Sequence, residues 1–404
     1  MAEVSPVSMD ADSARAETAE AAPTVALEMQ KIKDAKRDRI PLRVLVLDGG
    51  GVRGVVLATV LAELEKDAGR PVCELFDLIV GTSTGGILAI LVGLLKLPAR
   101  ECIQIYHEFA TEVFDGAGDH ALCKYDVSKL EDLLTRNLGV RTLTSFVASA
   151  GSEASPRVAV VAKRVDTLEP SNFLFRSYDY PQQLAPGDGA DGTSNALLRD
   201  AARATSAAPS LFAPYRDFTG RTFIDGAVGC NNPTGIAVAE ALKLGAELHE
   251  MRIVLSLGTG KNPPGTSATL TNWLSLNAIA KPPGAATSTA GQPPANPGWS
   301  VWGTLKTVAQ TTLYAVNSLV AARSVATFLS DASTETEDTH AMMKVLLSPH
   351  VRYERLNPPL RERVELDERR SDVLLRLEEH VRAHVRERER SVLLSVVEEC
   401  TRYY

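Results

Sequence analysis

The sequence has little of what marks several common classes of protein. Its five cysteines are scattered, odd in number and form no C-x-x-C pair, which is typical of a reduced intracellular protein rather than a disulfide framework or a zinc site. Lys and Arg number 43 against 50 Asp and Glu, and the resulting net charge of −7 argues against non-specific nucleic-acid binding.

Long apolar runs and targeting signals are also missing. The most apolar stretch, residues 87–95, is about half of the roughly 20 residues that a membrane-spanning helix requires. Residues 1–30 contain six carboxylates and one Arg, whereas a mitochondrial presequence is rich in Arg and a secretory signal has an apolar centre. We therefore expect an intracellular, cytoplasmic protein that associates with membranes only peripherally.

What is present is an ordinary globular composition, with 45% hydrophobic and 23% charged residues. Residues 1–41 lack apolar periodicity, which predicts a disordered acidic tail and a basic linker. A core is expected over residues 42–262. The seven prolines of residues 263–300 predict a flexible insertion, and residues 301–404 are expected to form a helical part packed on the core.

Apolar runs alternate with helical periodicity along the core. Residues 44–47 and 77–80 are apolar runs that end in glycine-rich turns, which is typical of buried parallel strands. Further strands are expected at 158–162 and 253–257, and helices at 55–66, 86–95, 233–244 (with Asn232 as the N-cap), 301–329 and 371–397. The alternation predicts a three-layer α/β/α fold with a mainly parallel central sheet. In the last helix, Leu374, Leu377, Val381 and Val385 form an apolar stripe, so this C-terminal helix is amphipathic.

The first glycine turn satisfies G-x-G-x-x-G over residues 49–54, between a strand and a helix. A dinucleotide-binding protein, such as an oxidoreductase, would carry an acidic residue at the end of the next strand to hold the ribose hydroxyls. Here the carboxylate Asp77 begins that strand, and its end carries Gly81-Thr82-Ser83. This weakens the nucleotide interpretation.

The second turn, residues 81–85, is a G-x-S-x-G pattern at a strand-to-helix turn, typical of a nucleophile elbow that presents Ser83. The glycine loop at the end of the neighbouring strand offers backbone amides for an oxyanion. A serine nucleophile needs a base, and none of the seven histidines stands in a convincing turn. Asp225, at the end of the apolar run 223–225, is the better candidate, provided that burial raises its pKa.

Taken together, Asp48-Gly-Gly-Gly-Val-Arg-Gly54, Gly81-Thr-Ser-Thr-Gly85 and Asp225-Gly-Ala227 resemble the patatin-like phospholipase family. The resemblance extends through residues 203–209, 231–233 and 255–260, and is greatest to the calcium-independent phospholipases of the gamma type. Asp-Gly-Ala replaces the more usual Asp-Gly-Gly, and about 40 residues precede the first strand, so the organelle of the gamma type does not carry over.

The resemblance implies a patatin-like fold and hydrolysis of glycerophospholipid esters through an acyl-serine, without calcium, metal or cofactor. Ser83 would be the nucleophile and Asp225 the base. Gly49, Gly50, Gly51 and Arg53 would form or brace the oxyanion site. The motifs are completed by Asp48, Gly54, Gly81, Gly85, Gly226 and Ala227. The partners would be a lipid substrate and, transiently, a phospholipid surface. The sequence gives no indication of oligomeric state.

Two other functions remain open, an esterase or thioesterase on soluble acyl substrates and a non-enzymatic lipid-binding module. All three tryptophans, Trp273, Trp299 and Trp302, lie in or beside the proline-rich insertion. Because Trp favours the membrane interface, residues 270–305 are a candidate membrane-contact flap, although these rings also suit packing on the fold.

Overall fold

A computed structural model describes residues 42–115, 123–146, 155–180, 191–263, 336–348 and 350–402. The expected tail and linker of residues 1–41, the helix expected at 301–329 and the candidate flap at 270–305 lie outside these residues.

The described residues form one sheet flanked by helices. Its nine strands are β1 Leu42–Leu47, β2 Leu78–Thr82, β3 Arg157–Arg164, β4 Ser171–Arg176, β5 Gly192–Thr193, β6 Tyr215–Arg216, β7 Thr222–Asp225, β8 Met251–Leu257 and β9 Arg352–Leu356. The helices are α1 Gly54–Ala68, α2 Val72–Leu75, α3 Thr84–Ala89, α4 Ala99–Glu108, α5 Val127–Leu138, α6 Leu198–Thr205, α7 Thr234–Lys243, α8 Glu337–Leu347, α9 Ser371–His384 and α10 Arg390–Thr401. Segments of π-helix continue α3, α4 and α9 over Ile90–Leu94, Phe109–Val113 and Val385–Glu389.

The sheet has the order β5-β4-β3-β2-β1-β8-β9, and β3, β2, β1, β8 and β9 are parallel neighbours. The carboxyl ends of these strands therefore meet at one edge, which we call the carboxyl edge. Strands β4 and β7 both pair antiparallel with β3. The mainly parallel sheet predicted from the apolar runs is confirmed.

Each central strand buries both of its faces. In β1, Leu45 and Leu47 belong to one apolar core, whereas Val44 and Val46 belong to a second core on the other face. The first core lies beneath α1, α3, α4, α5, α9 and α10, and the second beneath α7 and α8. Because both faces are covered, the strands are continuous apolar runs without alternation. The three-layer arrangement is thus confirmed.

The predicted apolar stripe of the C-terminal helix is buried in the first core, where Leu374 and Val381 are fully covered. The boundary predicted for α7 was wrong by one residue. Pro233 occupies the N-cap position, and the Asn232 side chain accepts a hydrogen bond from the Thr234 amide at 3.1 Å. Asn232 therefore closes a turn just before the helix instead of capping it directly.

Two strands meet end to end along β3. Strand β2 pairs with the first part of β3 and finishes with Thr82 opposite Val161. Strand β7 comes from the other direction and finishes with Asp225 opposite the next residue, Ala162. Because the two strands share one side of β3 and run towards each other, the residues at their carboxyl ends come together.

Candidate active site

Ser83 follows β2 on a sharp turn and begins α3. Its backbone has φ 54° and ψ −125°, a conformation that L-residues rarely adopt, and its side chain is 7% exposed. The turn depends on two close approaches. A Cβ at Gly81 would lie 2.2 Å from the Gly85 carbonyl oxygen, and one at Gly85 would lie 2.4 Å from the Leu47 carbonyl oxygen. Both glycines are therefore required by the tightness of the elbow.

The Ser83 hydroxyl donates a hydrogen bond to Oδ2 of Asp225 at 2.6 Å. Its backbone amide donates to the Thr205 hydroxyl at 2.7 Å, and that hydroxyl donates in turn to the Val161 carbonyl. Thr205 thus ties the elbow to β3 and leaves the Ser83 amide unavailable to an oxyanion. The role of Thr205 was not predictable from the sequence, because its side-chain partners lie 44 and 122 residues away.

Asp225 is 3% exposed, and its other oxygen accepts a hydrogen bond from the Ala227 amide at 2.8 Å. Gly226 lets the chain turn here, since a Cβ would lie 2.2 Å from the Val161 carbonyl oxygen. Burial raises the pKa of Asp225 from 3.8 to about 7, although hydrogen bonds from Ser83 and Ala227 oppose the rise. Burial thereby makes this carboxylate a much stronger base than an exposed one.

The glycine loop after β1 has two amides available. The Gly49 amide donates to the Asn231 carbonyl at 3.2 Å, and the Val52 amide donates to the Leu366 carbonyl at 2.8 Å. The amides of Gly50 and Gly51 have no acceptor among the described residues, and both residues line the same pocket as Ser83. These two amides are the ones free to bind an oxyanion.

The remaining loop residues brace this arrangement. The Arg53 amide donates to the Gly50 carbonyl at 3.1 Å, and the Arg53 side chain is buried rather than directed into solvent. Gly54 begins α1 in close contact with α3, since a Cβ there would lie 2.3 Å from the Thr84 hydroxyl. The amino ends of α1 and α3 therefore converge beside Ser83, and both favour negative charge there.

Asp48 is held by a residue that sequence reasoning missed. Its Oδ2 accepts a hydrogen bond from Arg355 of β9 at 2.7 Å, and both side chains are almost fully buried. Arg355 also donates to Ser256 at 2.7 Å and to Thr336. Burial raises the pKa of Asp48 to about 6, and the favourable effect of Arg355 only partly offsets it. The pair anchors the first residue of the glycine loop.

Asn231 places a second polar group beside Ser83. Its Oδ1 is buried without a hydrogen-bond partner among the residues described. A Cβ at Gly49 would lie 2.3 Å from this oxygen and 3.0 Å from the Ser83 Cβ, so all three are close together. Because Asn231 also lines the pocket, this oxygen is available to accept a hydrogen bond from a bound molecule.

Ser83 and Asp225 line the same pocket. Beyond them, the walls are apolar and include Ile87, Phe109, Phe114, Leu130, Leu211 and Phe212. Such a pocket suits a long apolar group whose reactive end meets the serine. A serine hydroxyl on a sharp turn, a buried carboxylate, free amides and an apolar wall together suit acyl transfer.

The described part of the chain contains neither a cluster of metal ligands nor a membrane-spanning helix. No group of three or more His, Cys, Asp or Glu side chains converges there as metal ligands would. None of the helices described is both long and apolar enough to cross a membrane.

Comparison with known proteins agrees with this geometry. A family model for the patatin-like phospholipases matches residues 45–238. Human calcium-independent phospholipase A2-gamma is 29% identical over 349 residues, which is 83% of this chain and 37% of that protein. The 85/88 kDa calcium-independent phospholipase A2 of Rattus norvegicus is 34% identical over 256 residues, 58% of this chain and 29% of that protein.

A bacterial relative also matches. The cGAMP-activated phospholipase of Escherichia coli (strain TW11681) is 32% identical over 221 residues, 51% of this chain and 57% of that protein. The chain spans little more than a third of the length of the gamma-type relatives. The resemblance and the patatin-like fold expected from the three motifs are confirmed. Over residues 45–238, this chain is similar to the patatin-like phospholipase family.

Proposed function

We propose that this protein is a calcium-independent lipid acyl hydrolase that cleaves fatty-acyl esters of glycerophospholipids through a Ser83–Asp225 dyad. The observation that carries the proposal is the 2.6 Å hydrogen bond from Ser83 to Asp225 in a pocket lined largely by apolar side chains. The names of the relatives, calcium-independent phospholipases among them, support the substrate class and the independence from calcium.

In the first half of the reaction, Asp225 takes the proton of Ser83 as the serine oxygen bonds to the ester carbonyl carbon. The carbonyl oxygen becomes an oxyanion, which the Gly50 and Gly51 amides stabilise. The intermediate collapses with cleavage of the bond to the alcohol oxygen. That oxygen takes the proton from Asp225, and the lysophospholipid leaves while the acyl group remains on Ser83.

In the second half, water attacks the acyl-serine carbonyl and passes one proton to ionised Asp225. The oxyanion forms again at the two glycine amides. Its collapse breaks the bond to the serine oxygen, which recovers the proton from Asp225, and the fatty acid is released. Asn231 Oδ1 is the acceptor suited to the other hydrogen of this water, because it is unpaired and close to Ser83.

The test is fatty-acid release from diacyl phospholipid vesicles with a calcium chelator present. We expect wild-type protein to release fatty acid and Ser83→Ala to reduce the rate by roughly 10⁴-fold or more, because the nucleophile is removed. Ser177→Ala is the matched control, since Ser177 is also a buried serine but its hydroxyl only accepts from the Val158 amide. This control should keep its activity.

Other outcomes favour the other functions. Release that survives Ser83→Ala would contradict the assigned nucleophile. Hydrolysis of a short soluble ester or thioester that does not rise when the substrate aggregates would favour the soluble-acyl esterase. Binding of lipid without release, in folded protein, would favour the lipid-binding module.

The dyad predicts a specific pH dependence. Asp225 acts only when ionised, and its pKa is about 7, so kcat/KM should fall tenfold per pH unit below about pH 7. Initial rates on a short soluble ester, restricted to pH values at which the protein stays folded, measure the midpoint. Asp48→Asn is the control for the other buried carboxylate with a raised pKa, and it should leave the midpoint in place. A midpoint near 4 would contradict the role of Asp225.

A further inference from the structure

Two neighbouring turns carry large apolar side chains that no residue in the described part of the chain covers. The β3–β4 turn exposes Leu168 at 104%, and the β6–β7 turn exposes Phe218 at 80%. The turns are held side by side, because the Val165 amide donates to the Thr222 carbonyl at 2.9 Å and the Thr222 amide donates to Asp166 at 3.1 Å. Exposing two such side chains on adjacent turns has no benefit for folding, which makes the pair a candidate contact surface.

The turns project beyond the candidate active site. Strand β3 continues for three residues, 162–164, past the level at which β2 ends, and these residues pair with β7. Three strand residues extend about 10 Å. The two turns therefore lie beyond Ser83, at the same end of the sheet as the pocket.

Two cations accompany these apolar side chains. Lys163 and Arg216 form no ion pair with any residue described, whereas the nearby carboxylates of Asp166 and Asp217 are engaged by Arg164 and Arg221. Glu169 in the β3–β4 turn and Asp191, which shares Arg164 with Asp166, balance the total charge, so what distinguishes the surface is that Lys163 and Arg216 are its two cations without an ion pair among the described residues.

One of the cations lies beside the pocket. The Lys163 ammonium lies 3.8 Å from the position of a Cβ at Gly229, next to Val228, which lines the pocket. One of the two cations without an ion pair therefore lies at the wall of the candidate active site.

The shape of the surface decides its occupant. A stable protein interface needs roughly 800 Å² from each partner over a continuous, complementary patch. Two separate convex tips do not provide one. A bilayer surrounds each inserted side chain individually, and an anionic lipid surface attracts the cations between the tips.

We propose that Leu168 and Phe218, with Lys163 and Arg216, form a membrane-docking surface that inserts into anionic phospholipid bilayers and presents the Ser83 pocket to the lipid. This inference rests on the proposed function for its purpose. Docking is measurable without catalysis, so a failure of the docking proposal can be distinguished from a failure of the proposed function.

Docking is tested by sedimentation with vesicles of equimolar phosphatidylcholine and phosphatidylglycerol, using the Ser83→Ala protein so that no lipid is consumed. Adding Leu168→Ser and Phe218→Ser should reduce the bound fraction at least about tenfold, because two apolar insertions are lost. Val345→Ser is the matched control. Val345 is 76% exposed on α8, which packs at the opposite, β9 end of the sheet, and its replacement should leave binding unchanged.

Charge is tested separately with Lys163→Glu and Arg216→Glu. This pair should weaken binding to the anionic vesicles at least about tenfold and change binding to pure phosphatidylcholine little. In the active protein, Leu168→Ser with Phe218→Ser should slow vesicle hydrolysis by a similar factor and leave hydrolysis of a short soluble ester unchanged.

Several results would overturn the inference. If the variant with Leu168→Ser and Phe218→Ser binds vesicles as well as the parent protein does, Leu168 and Phe218 do not contact the membrane. An equal loss of activity on the soluble ester would show that the substitutions damage the fold. A wild-type dimer in solution that the substitutions dissociate would assign the surface to a second copy of the chain. If the parent protein binds vesicles but no variant of it releases fatty acid, the proposed function fails and the docking surface stands.

Discussion

Asp225→Asn should lower hydrolysis by roughly 10³-fold and, at the same time, make the folded protein more stable at pH 8. Activity falls because an amide cannot take the Ser83 proton. Stability rises because the native fold holds an ionised carboxylate where burial disfavours charge, and the amide removes that charge while keeping an acceptor for the Ala227 amide.

The sign of the effect follows from the two pKa values. Asp225 has a pKa of about 7 in the fold and about 3.8 when unfolded. Below about pH 4 the Asp225 carboxyl is protonated in both the folded and the unfolded state, so it costs wild-type protein no stability. Between pH 4 and 7 the unfolded chain ionises first and wild-type stability declines. Above pH 7 the loss is complete, and its upper bound is about 4 kcal/mol.

Urea denaturation at pH 5 and pH 8 measures this difference. The free energy of unfolding of Asp225→Asn should exceed that of wild type by more at pH 8 than at pH 5. Asp217→Asn is the matched control, and its expected effect on stability has the opposite sign. Burial raises the pKa of Asp217, but hydrogen bonds from Thr219 and Arg221 outweigh burial and hold the pKa below its ordinary value, so the amide should destabilise. A gain for Asp225→Asn that does not change with pH would contradict the assigned pKa.

The second large effect is expected at Arg355. Arg355→Met should reduce the free energy of unfolding by about 3–5 kcal/mol, because it leaves Asp48 buried without its cation. Activity should fall as well, since Asp48 begins the loop that carries the Gly50 and Gly51 amides. The double variant Asp48→Asn with Arg355→Met should recover much of the lost stability, because no buried charge then lacks a partner.

The control for this experiment is an exposed pair. Arg376 and Asp372 form an ion pair on the surface of α9 with both side chains more than half exposed, and Arg376→Met should cost less than about 1 kcal/mol. Equal losses at the two positions, measured by urea denaturation, would mean that the Asp48–Arg355 pair does not anchor the loop.

Local chemistry made a large part of the fold predictable. The strands at 42–47 and 78–82 were recognised because both faces of a central strand are covered, which leaves a continuous apolar run. The elbow at Ser83 was recognised because the turn is local: Gly81 packs against the carbonyl of Gly85, four residues further along the chain. Where sequence reasoning failed, as with Thr205 and Arg355, the partner is distant along the chain, 307 residues in the case of Arg355 and Asp48.

The sequence by itself determined which side chains are capable of the chemistry and the sharp turns that present them, since those depend on neighbouring residues. Only the tertiary structure decided that β7 meets β2 end to end along β3. Because of this, Asp225 accepts a hydrogen bond from the Ser83 hydroxyl at 2.6 Å. The tertiary structure also decided how basic the Asp225 carboxylate is. The pKa of a carboxylate depends on how much water the surrounding layers exclude, and those layers come from residues throughout the chain.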